Sequence, residues 1–405
     1  MARRRKSRLK TWFKTLLFLC AIIVAGTFLY LNFFNNEKPQ ESNTNTNTQK
    51  DKPVQKETKK EYKLSMIMAG DGLLHGYVYK DAESNGSYNF STQLEYVKDL
   101  VKNYDLKYWN QETIFGGKER GYSGYPRFNS PSEFGDNMID IGFNMVSLAN
   151  NHSMDQNESG VRNSVAYWQT KDIVWNGQSD SEENRLAHIY GEKNNIKYAL
   201  LSYTMHTNGL PVPSGKSYLV NVYDKEKVKN DIESVRQNVD VLFVAMHWGE
   251  EYTHKPNNNQ KETAEYLASL GVDVIIGCHP HVIQPIEKIT NEETGKETIV
   301  YYSLGNFISN QGDENKRVGL LGTLDITKTI DKDDVTIKID NVGGELHYTY
   351  YTTAHKNYKV VPFSNPNISK YLSNYKSIYE KYKNISTGGN SEFVIKSVYE
   401  ESTGI

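Results

Sequence analysis

The sequence has little cysteine: two residues in 405, Cys20 and Cys278. That excludes a multi-disulfide scaffold and any cysteine-rich zinc or iron–sulfur centre. It has no basic excess either, since 47 Lys and Arg stand against 49 Asp and Glu for a formal net charge of -2. Domains built to grip nucleic acid usually carry a marked positive balance, so no nucleic-acid partner is expected. There is no internal repeat. What remains, 38% hydrophobic and 24% charged residues, suits a folded globular protein rather than a disordered or fibrous one.

The near-neutral total hides a lopsided start. Residues 1–36 hold seven basic residues, Arg3 to Lys14, and no Asp or Glu, which leaves 40 basic against 49 acidic residues in 37–405. An uncharged stretch from Thr15 to Asn36 follows Lys14. About 20 apolar residues span a bilayer, and basic residues prefer its cytoplasmic side. We read 1–14 as a basic cytoplasmic tail and 15–36 as a transmembrane anchor, single-pass, with the rest extracellular. A cleaved signal peptide is the rival. It fits less well because Ala21 and Ala25 lie inside the apolar run and Phe28, Leu29, Tyr30 and Leu31 follow them. Cys20, in this span, is not expected to pair with Cys278. Residues 37–61, rich in Asn, Thr, Gln, Lys and Glu, bury too little to offset their ordering entropy and read as a disordered linker.

Beyond the linker, short apolar runs predict strands at 64–69, 106–109, 144–149, 198–203, 239–246, 272–277 and 298–304. Most are aliphatic throughout, as strands covered on both faces are. Helical spacing between them, at 92–104 and at 259–270 ahead of Gly271, makes the fold class α/β. After Arg317 the pattern changes to polar alternation at 319–326, 335–342 and 358–362, which predicts a further antiparallel sheet. A Tyr- and Lys-rich helix is expected from Asn367. Residues 318–405 would complete or extend a domain covering 62–317.

The chemistry-bearing residues cluster just after these strands. They are Asp71 in Gly70-Asp71, Glu112 in Asn110-Gln111-Glu112, and Asn150-Asn151-His152 with Asp155. His247 opens His247-Trp248-Gly249-Glu250-Glu251-Tyr252, and His279 and His281 stand in Gly277-Cys278-His279-Pro280-His281. Open α/β sheets bind ligands beyond the carboxyl ends of their strands. Taken singly, each residue has a plainer reading: an Asp there caps a turn, an Asn-Asn makes one, and a His is a satisfied core group. Four histidines and two carboxylates at strand ends together point instead to one or two divalent metal ions, manganese, iron or zinc. His188, His206, His254, His347 and His355 lack such contexts and read as ordinary. Arg127 offers a two-point anion contact, against the plainer reading of a surface salt bridge. Cys278 reads as a buried inert thiol, and Trp248 and Tyr252 as packing around the site.

These motifs, with Ser303-Leu304-Gly305-Asn306-Phe307, resemble in order and spacing those of the CapA family of bacterial poly-γ-glutamate capsule biosynthesis proteins. That family is similar to the calcineurin-like metallophosphatases, whose fold is a β-sandwich flanked by helices. The resemblance implies metal ligation by Asp71, Glu112, Asn151, His247, His279 and His281, with His152 as the catalytic group. It departs in two places. Leu73 stands where the metallophosphatase pattern has a His, with His75 a possible substitute, and Glu112 stands where it has Asp. The family implies a membrane setting, with other capsule-synthesis membrane proteins and an anionic envelope polymer as partners; Arg127 is the candidate substrate-binding residue on its chemistry alone. It leaves two functions open: a metal-dependent hydrolase of a phosphoester or amide bond, or a non-catalytic subunit of the synthesis and export complex.

Overall fold

The computed structural model describes residues 59–399. The expected tail 1–14, the expected span 15–36 and nearly all of the expected linker lie outside that range. No described helix is long and apolar enough to cross a membrane. The linker was expected to reach Glu61, but strand structure begins at Lys60, where pairing with Ile330 holds the backbone.

The first strand, β1, runs Lys60–Gly72, and a short hairpin of β2 (Glu83–Ser84) and β3 (Ser87–Tyr88) follows. Next come β4 (Leu106–Asn110), β5 (Met145–Ser147) and β6 (Val174–Asn176), separated by helices. Then come β7 (Tyr190–Lys193), β8 (Ile196–Thr204), β9 (Val241–His247), β10 (Val274–Cys278), β11 (Ile283–Thr290) and β12 (Glu297–Leu304). The chain returns through β13 (Asn306–Ile308), β14 (Val318–Asp331), β15 (Asp334–Tyr350), β16 (Lys359–Pro362) and β17 (Val394–Ile395).

Two large sheets result. One has the order β16-β15-β14-β1-β4-β5-β6, with β13 on β1 and β17 on β15; the other has the order β11-β12-β10-β9-β8-β7. The segments after Arg317 are strands, but they do not make a sheet of their own. β14 pairs antiparallel with β1 from Lys60 to Met68, and β15 and β16 extend that sheet outward. Periodicity reports which face of a strand is buried. It does not report which distant strand lies beside it.

Period-two alternation sorts the side chains into layers. Leu64, Met66 and Met68 of β1 meet Leu200, Phe243, Val274, Ile276 and Tyr301 of the other sheet in a shared core. The alternate residues face outward under helices. Ile67, Ala69, Trp109 and Val146 pack with Val97, Phe134, Met138 and Trp168, while Leu242, Val244 and Ile275 pack with Val228, Ile232, Ala264 and Leu267. Each fully buried aliphatic or aromatic side chain contributes about 1.5–3 kcal/mol. The architecture is a mixed α/β sandwich flanked by helices. The helix Asn258–Ser269 shows how local sequence sets an element. Asn257 and Gln260 form a reciprocal capping box at its start, and Gly271, at φ 83°, stops it.

Parallel pairing aims several strand ends the same way. β1, β4, β5 and β6 run parallel in the first sheet, and β8, β9, β10 and β12 in the second. Their carboxyl ends carry the residues described next.

Candidate metal centre

Asp71 sits near the end of β1, where the backbones come very close. A Cβ on Gly70 would stand 1.9 Å from the Gly305 carbonyl oxygen, so only glycine fits. That approach lets the Asp71 N–H donate to Gly305 O at 3.0 Å and sets Asp71 opposite Asn306 on β13. The carboxylate is fully buried. Oδ1 accepts from Asn110 Nδ2 at 2.8 Å, and Oδ2 from the His279 backbone N–H at 3.3 Å.

Around it stand the other groups. His281 Nδ1 lies 3.2 Å from Asp71 Oδ2, and His281 Nε2 lies 3.7 Å from Glu112 Oε1. One ligand atom from each of Asp71, Glu112 and His281 lies within 4.8 Å of the others. His247 Nε2 is 3.9 Å from Glu112 Oε1, 2.9 Å from Asn151 Oδ1 and 3.1 Å from His279 Nδ1. The structure thus brings Asp71, Glu112, Asn151, His247, His279 and His281 together, from β1, the loop after β4, the loop after β5, β9 and the loop after β10.

Burial shapes the ionisation of this set. Desolvation pushes the Glu112 carboxyl well above its ordinary value, with the Asp71, Glu251 and Asp155 charges adding to the rise and His281 opposing it. Neither Glu112 oxygen has a hydrogen-bond partner. A buried carboxylate left so is costly. Desolvation, then His279 and His281, holds the His247 imidazole well below the usual range. Desolvation, then His281, lowers His279 to about 3. Both are neutral near pH 7, the form in which imidazole ligates metal. His281 is the exception. Burial lowers it, but Glu112 and Asp71 together outweigh that and push it up to about 9. Its proton stands between two carboxylates, where a cation fits. The donor set of carboxylates, imidazoles and one amide suits manganese, iron or zinc.

The backbone is strained where the two histidines leave β10. His279 has φ 97° and His281 φ 59°. Side-chain-bearing residues rarely adopt such angles, at a cost of about 1–3 kcal/mol each, and these outliers gather at functional sites.

His152 lies beside the cluster and is 6% exposed. Its Nδ1 is 2.8 Å from Asp155 Oδ2, and its ring meets Phe128 edge-on at 4.6 Å. Arg127 stands over the same loop. Its Nε donates to Asp155 O at 3.0 Å and its Nη2 to Asn157 Oδ1 at 3.2 Å. It remains exposed and forms no ion pair among the described residues. Leu73 is buried at 2% exposure. His75 does not join the carboxylates: its Nδ1 faces Leu73 O at 3.2 Å and the Asn310 N–H at 3.3 Å. Burial, with His281 and His152 nearby, lowers it to about 4 despite the Leu73 contact. Cys278 is buried and free, with its thiol pushed well up by desolvation and Asp71. Trp248 is core, its Nε1 donating to Tyr302 O at 2.9 Å. Tyr252 is not core: it is 43% exposed at the mouth, 6.0 Å from the His281 ring.

Three residues of the site escaped the sequence reading. Asn110 holds Asp71, and Asn306 contacts His281. Both amides sat inside quoted motifs, and strand-end position was the available signal. His206, read as ordinary, follows β8 and packs its ring 5.4 Å from His279. β8 neighbours β9 in parallel, and Thr204 is in register with His247, so the same strand-end argument reaches it.

Comparison with known proteins follows this geometry. The family model described as bacterial capsule synthesis protein PGA_cap matches residues 65–311. The chain is 28% identical over 255 residues to the PGA biosynthesis protein CapA of Bacillus subtilis (strain 168), covering 62% of this chain and 64% of that one. It is 27% identical over 261 residues to the capsule biosynthesis protein CapA of Bacillus anthracis, covering 62% and 61%. The chain thus spans a little under two thirds of the length of these relatives. Among solved structures, the calcineurin-like phosphoesterase YfkN from Bacillus subtilis aligns at 13% identity over 80% of this chain and 100% of that one, with a TM-score of 0.43.

Proposed function

The chain belongs to the bacterial capsule synthesis protein family PGA_cap, and from that premise we propose that it is a membrane-anchored, outward-facing component of poly-γ-glutamate capsule synthesis or export that carries a metal-dependent hydrolase-type centre. The observation behind the metal reading is Glu112. Both of its oxygens are buried without a partner, beside Asp71 and His281, within reach of one cation. Asp71, Glu112 and His281 would hold one ion, and Asn151, His247 and His279, with Glu112 between the sets, a second. Such ions supply Lewis-acid polarisation of the scissile group and an activated water.

The chain's own residues do the rest. Asp155 holds Nδ1 of His152, which leaves Nε2 free to deliver a proton to a leaving group. Arg127, exposed and unpaired with any carboxylate among the described residues, receives an anionic group of the substrate. The bond broken is a phosphoester or an amide of an envelope polymer. One observation favours the second reading, a non-catalytic subunit: buried, apolar Leu73 supplies no ligand where the metallophosphatase pattern has one, and His75 is turned to backbone groups.

The test is metal analysis of the full chain in detergent, followed by a screen of phosphoester and γ-glutamyl substrates. Bound metal with turnover supports the hydrolase, and bound metal with no turnover across both classes supports the subunit reading. No bound metal rejects the centre. Protease added to wall-stripped cells tests the anchor: removal of the domain is expected, and a soluble cytoplasmic protein rejects that part.

A further inference from the structure

Asn306 has no place in the ligand set above, yet its side chain is fully buried and it stands in register with Asp71. The orientation of its amide is fixed by its partners. Nδ2 donates to the Lys316 backbone carbonyl at 2.9 Å and to Gln311 Oε1 at 2.8 Å. A carbonyl only accepts, so the end facing Lys316 is the nitrogen. Oδ1 is then the atom 3.0 Å from His281 Nδ1.

An amide oxygen also only accepts, so Nδ1 of His281 must carry the hydrogen. A cation at the site displaces the other proton of His281, so the nitrogen that opens to it is Nε2, on the side where Glu112 Oε1 lies 3.7 Å away. Asp71 Oδ2 also approaches Nδ1, at 3.2 Å. A carboxylate that ligates a cation directs its electron density there, so Asn306 is the partner that keeps Nδ1–H satisfied in the loaded site. Partners that hold the far nitrogen of a ligating imidazole set its tautomer and its aim.

We propose that Asn306 is a positioning residue that locks His281 in its Nδ1–H form and aims Nε2 as the metal ligand, and that Gln311 and the Lys316 carbonyl clamp Asn306 in that orientation. The inference rests on the metal reading above. It also gives a role to the Ser303-Leu304-Gly305-Asn306-Phe307 run: Gly305 permits the close approach to Gly70, and the next residue supplies the amide. The clamp reaches the mouth of the site, because Gln311 Nε2 donates to Tyr252 Oη at 3.4 Å and Lys316 Nζ lies 4.1 Å above the Tyr252 ring.

The experiment uses the full chain in detergent with zinc as the probe. Affinity is measured by competition with a chromophoric chelator for wild type, Asn306→Leu and Asn306→Asp. Asn306→Leu fills the space but cannot accept, and is expected to weaken zinc by about 10–100-fold. Asn306→Asp restores an acceptor and is expected to recover most of that loss. The histidine ring nitrogens of zinc-loaded, 15N-histidine-labelled wild type give a second readout that needs no stable Asn306 variant. Its His281 signal, assigned by loss in His281→Gln, is expected to show Nδ1–H with Nε2 ligating. A folded Asn306→Leu that binds zinc like wild type, or a wild-type His281 that ligates through Nδ1, overturns the inference alone. Wild type that binds no zinc overturns the metal reading and the inference with it.

Discussion

The Nδ1 of His152 lies 2.8 Å from Oδ2 of Asp155, and the same oxygen takes the Phe128 backbone N–H at 2.7 Å. Asp155 is thus fixed by the loop that carries Arg127, and it fixes the ring in turn. With bis(p-nitrophenyl) phosphate as probe, His152→Ala is expected to cut turnover by about 100-fold or more. Asp155→Asn is expected to act in the same direction, and metal content should be unchanged in both. Turnover and metal analysis on the same preparations check this, and metal loss in His152→Ala would place that residue among the ligands instead.

A ligand that binds only the folded state stabilises it by about 2.7 kcal/mol at a hundred times its dissociation constant. Manganese or zinc is therefore expected to raise the melting temperature of wild type, and chelation to reverse the rise. Glu112→Gln and His281→Ala should abolish that shift while still melting cooperatively. Calorimetry with and without metal is the measurement.

Gly70→Ala is expected to destabilise by about 1–3 kcal/mol or more, because its Cβ meets the Gly305 carbonyl oxygen at 1.9 Å and backbone must move. Metal affinity should fall with it, since Asp71 is the next residue. Gly76→Ala is the control. Its Cβ meets nothing closer than the Tyr79 hydroxyl at 3.7 Å, and it opens the helix Gly76–Asp81, so a neutral or slightly stabilising effect is expected. Urea titration of both variants separates the two cases.

His347 gives a pH prediction outside the site. It is fully buried, neither ring nitrogen has a partner, and desolvation lowers it from 6.5 to about 3. Between those values the unfolded chain binds the proton and the folded chain does not. Its contribution is therefore intact above about pH 6.5 and is lost as pH falls toward 3, at up to about 1.4 kcal/mol per pH unit. His347→Leu is expected to flatten this part of the acid-unfolding curve. Denaturant midpoints from pH 7 to pH 4 check it, and an unchanged slope would reject the assignment.

The strands at 239–246, 272–277 and 298–304 were legible because both of their faces are covered, so the apolar run is continuous and ends where the strand ends. That Asp71, Glu112, His247, His279 and His281 gather near strand ends was legible for a related reason: each ends or closely follows an apolar run. The partners of β14 and β15 were not, since alternation on a strand says nothing of its neighbour. Asn110 and Asn306 were hidden by their chemistry. An amide after a strand looks the same in sequence whether it turns the chain or holds a ligand, and only the orientation fixed by Asp71 in one case and Lys316 in the other separates the two. Tyr252 was placed as packing because aromatic residues beside a site usually are; it is 43% exposed and its backbone is left-handed, φ 66°.

The pairing of β1 with strands from the far end of the domain sets the order in which this protein is completed. Asp71 is made early, but its register partner Asn306 and the β14 residues that flank β1 are made much later. Until they emerge, β1 has one open edge, and an open edge is a template for wrong partners. Such long-range closure is slow and exposes the chain to aggregation. The proposed metal centre would therefore be a late product of biosynthesis. A fragment cut at residue 311, where the family match stops, would keep every proposed ligand and still leave the strand bearing Asp71 unsealed.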